Sequence, residues 1–167
     1  DLSSAQIGSL TSGQFNNLTS AQIQAIDIGD IDFQKNTSLT TTAISKLSTD
    51  QVKAISTTQV AAMSTAQITA LGSAGLSVLT TGQIQALKND QISNLGTEQF
   101  GGLSSSQLNS MSSAQVQAIN TADIKAITTD IVSTLASTVI KSLTSAQVNA
   151  LSAGQLGKLT SAQTQAL

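Results

Sequence analysis

The stretch "LTSAQIQAI", residues 18 to 26, returns as "LTSAQVNAL" at 143 to 151 and as "LTSAQTQAL" at 159 to 167. A segment written so often invites a search for a fixed period before anything else. With positions labelled a to h and Leu at a, the frame runs through Leu2, Leu10, Leu18 and Ile26. It resumes at Leu39 and recurs every eight residues to Leu159, with Leu167 closing the last unit. Position a is Leu, Ile or Met in all twenty octads, f is apolar in nineteen (Thr164 differs), and e is Gln in fourteen. One slip interrupts the frame: the 13 residues from Ile26 to Ser38 read as one octad plus the insert "QKNTS". The whole chain, 1–167, is therefore read as one octad-repeat solenoid with an irregular 13-residue unit at 26–38.

An octad cannot belong to one long straight helix. At about 100° per residue its apolar stripe would drift by roughly 80° per repeat and never form a face. Uninterrupted strands fail too, because the a-to-f and f-to-a spacings are both odd and would send these residues to opposite faces. The chain must bend once per repeat.

The consensus also says where. Position b is Ser or Thr in fourteen octads, with Asp27 and Asn120 in two more, all preferred helix N-caps. Three residues later comes the Gln of e, so "TSAQ" and "SSAQ" are capping boxes, and apolar a and f form the hydrophobic staple around them. Each octad thus starts a helix of about six residues and then starts another. Gly72 and Gly96 at b still permit capping, whereas Lys88 and Ala136 do so less readily. Isolated helices this short are unstable in water, so the units must stack and share a core. The predicted fold is all-α: a solenoid of very short helices with a and f inside, small d and h allowing close approach, and c and g facing water. A β-solenoid is the alternative, favoured by the Ser and Thr content and opposed by the odd spacings and the Ala and Gln.

Composition narrows the function. There is no His, Cys, Trp, Tyr or Pro, the net charge is −2, and all seven basic residues are Lys. Thiol nucleophiles, imidazole bases and the usual zinc ligands are excluded, and no Gly-x-Ser-x-Gly elbow or phosphate-binding Gly loop occurs. The chain reads as no enzyme. A clustered basic face for nucleic acid is missing, and no apolar run reaches the roughly 18 residues that span a bilayer. The Gln row at e closes each box; its other reading is a hydrogen-bonded ladder or a ligand track. "DIGDIDFQKN" (27 to 36) gathers Asp27, Asp30 and Asp32, oxygen ligands of a kind that calcium takes. Against that stands a bent, solvated connection in which Asp27 and Asp30 replace the usual Thr and Gln. No other cofactor is expected; Met63 and Met111 occupy core positions a.

At "LTSAQVNAL" and "LSTDQVKAI" (47 to 55) the sequence resembles the octad L-[ST]-[ST]-x-Q-[IV]-x-A arrays of very large secreted bacterial surface proteins of adhesin-like type. The resemblance implies an extracellular or cell-surface structural repeat protein: a filament subunit or stalk, or else an adhesive module that grips a glycan, surface or partner protein through its polar outer rows. The chain starts at Asp1 without Met, as a processed product or excised segment would. Both ends carry position a without an atypical polar repeat, and solenoids shield their last apolar face. End-to-end self-association, or continuation in a longer array, is therefore expected.

Overall fold

The computed structural model describes residues 4–31, 33 and 39–167, with the side chains of Ser4 and Asp30 left aside. Among the described residues the chain forms nineteen α-helices of four to six residues and one 3-10 turn, Ile28–Asp30, and no strand. The all-α solenoid of the octad pattern is the observed architecture.

The usual corner is built by two extended residues. At Met63 and Ser64 the backbone runs at φ −61°, ψ 145° and then φ −71°, ψ 161°, after which the helix Thr65–Ala70 begins. The b side chain caps it: Ser64 Oγ accepts from the Gln67 amide, and Gln67 Oε1 accepts from the Ser64 amide at 2.8 Å. The same reciprocal box closes in octad after octad, as at Thr80–Gln83, Ser112–Gln115 and Thr144–Gln147. A box of this kind satisfies two backbone donors that a short helix would otherwise leave open.

The weaker b positions behave differently from one another. Lys88 and Gly96 contribute no side-chain cap, yet each keeps the return half, its amide donating to Gln91 Oε1 (2.7 Å) and Gln99 Oε1 (2.9 Å). Gly72 forms no cap at all. The helix Gly72–Ser77 follows the helical residue Leu71, and the turn is made by Gly72 itself at φ +66°, a conformation costly for any residue with a Cβ. Ala136 is served from another turn: its amide donates to Asn109 Oδ1 at 2.7 Å.

Helices three octads apart stack on one another. Thr57–Ala62 packs on Thr81–Ala86, Gly72–Ser77 on Thr97–Gly101, and Thr97–Gly101 on Thr121–Ile124. Three octads therefore make a turn, and the helices form three columns around one core. That core is built from a and f, including Val52, Ile55, Ile84, Leu87, Val116 and Ile119. The small h residues, among them Ala62, Ala86 and Ala118, are half-buried against it, while d is exposed almost throughout. So h allows the close approach and d does not. Position c is mostly outward, and g is exposed or half-buried. Met63 and Met111 are buried as core residues.

Candidate functional site

A row of buried amides is the feature that sequence periods did not resolve. Position e lies inside the fold: Gln83, Gln91, Gln107, Gln115, Gln147, Gln155 and Gln163 are all buried. Each uses its Oε1 for its own capping box and its Nε2 for something else. Gln115 Nε2 donates to the Ile84 and Leu87 carbonyls, both at 2.8 Å, 31 and 28 residues upstream. Gln147 reaches Val116 and Ile119, Gln155 reaches Ile124 and Ile127, and Gln163 reaches Val132 and Leu135, at the same separations. The acceptors are an f residue and the following a residue, the helix end and corner of the turn below. The f carbonyl also accepts from the a amide three residues on, as Ile84 O does from Leu87 N–H at 3.2 Å, while the a carbonyl lies just past the helix end. One amide thus closes a helix start and the helix end beneath it. The capping-box and ladder readings of the Gln row both hold, in one side chain.

The bridges also relocate the slip. Gln59 donates to Ile28 and Ile31 at 31 and 28 residues, so these occupy the f and a places. Gln51, across the irregularity, reaches Ile23 and Ile26 at only 28 and 25 residues. The frame is therefore short by three residues within Ile26–Asp30, which folds as the 3-10 turn in place of an α-helix, and it resumes at Ile31. The proposed insert "QKNTS" (34–38) lies outside the described residues.

Where e is not Gln, other groups take part of its work. Ala43 stands at e in the octad of Leu39, and there Lys46 Nζ donates to the Leu18 and Asn16 carbonyls, at 2.6 and 3.2 Å; a cation suits a helix C-terminus. Asn109 Nδ2 donates to Thr134 O while its Oδ1 serves Ala136. Asp123 takes the e place in the octad of Ile119 and is buried. Desolvation pushes its carboxyl above the ordinary value, partly offset by a hydrogen bond with the Asn120 side chain. Asn120, expected to cap its helix by its side chain, instead sends Nδ2 to Ser93 O at 2.7 Å.

Of the acidic trio, Asp27 caps the 3-10 turn, its Oδ1 accepting from the Gly29 amide at 2.9 Å. Asp30 has its backbone in that turn; its side chain and all of Asp32 lie outside what is described. Among the described residues, no group of three or more His, Cys, Asp or Glu gathers as metal ligands. No helix there is long and apolar enough to cross a membrane.

Two stretches, residues 37–65 and 60–89, match the family model of the ALTTAQ repeat. Over residues 37–89 the chain is similar to the ALTTAQ repeat. No curated protein and no solved structure gave a match. The two ALTTAQ matches cover the octads of Gln51, Gln59, Gln67 and Gln83, whose amides all bridge to the turn below.

Proposed function

We propose that this repeat protein is a structural element, an extracellular filament subunit or stalk of a bacterial surface protein, that performs no catalysis. The observation that carries the reading is the bridge itself. From Gln51 to Gln163, Gln amides tie their helix starts to the turn below, so the property repeated along the chain is continuity. Such one-dimensional arrays gain length and stiffness by adding like units. The surface location rests on the resemblance of the octads to secreted bacterial arrays. End-to-end association, or continuation in a longer array, follows from the same logic.

Electron microscopy of the purified chain beside a version with extra internal octads tests the rod. Straight particles that lengthen in proportion to the octads added are expected, and compact particles of unchanged length would sink the proposal. Antibody-gold labelling of intact producing cells tests the location; label confined to permeabilised cells would refute a surface role. An adhesive module is the second reading. It is favoured by a shallow outer groove lined by Thr41, Thr65, Thr69 and Asn94, and a glycan array probed with the chain addresses it.

A further inference from the structure

The bridges are spread unevenly along the array. Three octads make a turn, and at one place three successive octads lack Gln at e: Asp123, Ile131 and Val139. By the 31- and 28-residue separations of the other bridges, they stand over the carbonyls of Ile92 and Leu95, Phe100 and Leu103, and Leu108 and Met111. None of these carbonyls receives a side-chain amide. Isoleucine and valine have no donor to offer, and an ionised carboxylate only accepts. Gly75 leaves a single gap of the same kind, but Gln67 and Gln83 bridge in the octads on either side of it. Between residues 95–118 and 119–142, by contrast, a whole turn rests on the next without a buried amide bridge in any column. The hydrogen bonds that do cross this seam lie at the exposed rim: Asn109 with Thr134 O and the Ala136 amide, Asn120 with Ser93 O, and Ser113 with Ser142. The core is also incompletely filled there. A narrow apolar cavity of about 20 Å³ is lined from both sides, by Leu108, Met111 and Val116 below and by Ile124, Val132 and Val139 above.

We infer that this seam is a joint built into the array, at which the turn 119–142 parts from the turn 95–118 more readily than the bridged turns beneath part from one another. A buried amide–carbonyl bond is costly to break because water does not replace it, whereas rim bonds exchange with water at little cost. Atoms lining a void have already given up part of their dispersion contacts. Both effects lower the free energy of opening at the same place, and local opening follows the lowest such free energy. The chain itself crosses the seam at the corner Val116–Ile119, which Gln147 pins from above through both carbonyls. That corner is the hinge, and the other two corners of the turn swing away from it. The joint belongs to the fold whether or not the chain serves as a stalk. In a stalk it concentrates bending at one level and leaves the bridged turns stiff.

The chain carries its own matched probes. Met63 and Met111 are its two methionines, both at position a of the same column, two turns apart, and both buried. Gln91 bridges to Met63 O at 2.7 Å, whereas Val139 stands over Met111 and offers nothing. Hydrogen peroxide turns an accessible Met into its sulfoxide, so the oxidation rate of each, read by peptide mass spectrometry, reports how often its turn opens. In the unaltered chain Met111 should oxidise about tenfold faster than Met63, given the hydrogen bonds missing above it. In Asp123→Gln/Ile131→Gln/Val139→Gln the gap should close, with Met111 slowing to the rate of Met63. Equal rates in the unaltered chain would overturn the joint. A gap that persists in the restored variant, with its helical circular dichroism intact, would overturn the role given to the bridges. Should that variant fail to fold, Gln91→Val makes the converse change. It should speed Met63 and leave Met111 as it was, and an unchanged Met63 would equally overturn that role.

Discussion

At the scale of the residue, the e position shows what a single amide can do. A capping box accepts Glu as well as Gln, and an acidic group suits a helix N-terminus better. Yet no e residue is Glu and fourteen are Gln. The preference makes sense once the Nε2 donates to a carbonyl pair in the turn below, which a carboxylate would repel. That preference was in the sequence, and it was the one available sign of the bridge. The acceptors were not legible, because an eight-residue period says nothing about which octads meet in space. Asp123 is the counterexample within the row. Its carboxyl is raised above the ordinary value by burial, so the folded chain holds this proton more tightly than the unfolded chain does. Stability from this group is then greatest at acid pH and falls as pH rises from the ordinary carboxylate range through the raised value. Asp123→Gln should remove that slope. By the spacing of its neighbours, the new amide would meet the Ile92 and Leu95 carbonyls and raise stability at neutral pH by about 1–2 kcal/mol. Melting temperature against pH for both chains checks it; parallel curves would contradict the account.

At the scale of the element, the decisive unit is the corner rather than the helix. Helices of four to six residues would not persist alone, and their boundaries follow from the a–b pair that stops one and caps the next. This much was legible in Ser or Thr followed by Gln three residues on. Gly72 was not. A Gly at b looked like a tolerable cap, but here the corner is rebuilt with φ +66°. Gly96, at φ −102°, keeps the ordinary corner. The two glycines should therefore respond oppositely. Gly72→Ala forces a left-handed backbone on an L residue, with no neighbour near the added Cβ, and should destabilise by about 1–2 kcal/mol. Gly96→Ser supplies a missing cap and should stabilise by a few tenths of a kcal/mol. Chemical denaturation of both variants decides the matter, and a neutral Gly72→Ala would show that the corner has another way to turn.

At the scale of the whole molecule, stability has a direction. Each turn is held by the turns on either side, so opening one turn is cheaper at an end than in the middle, as in other linear arrays. Hydrogen exchange of the f amides reads this directly, since each donates to its own b carbonyl, as Val116 does to Ser112 at 2.9 Å and Leu156 to Ser152 at 2.9 Å. In dilute solution, protection should peak near Ile84 to Val116 and decline toward Leu156. Uniform protection would mean that the chain unfolds as one cooperative block.

The three residues missing from Ile26–Asp30 have a genetic corollary. Because a bridge is specified by counting along the chain and by no particular partner, duplication or loss of a whole octad leaves every remaining amide over a carbonyl pair. A lesion of any other size costs a helix, as that five-residue unit shows. Near-identical octads are also natural sites of unequal recombination. Coding sequences of this design can therefore drift in copy number and still encode a folded product, so that reach becomes a trait adjustable without inventing a single new contact.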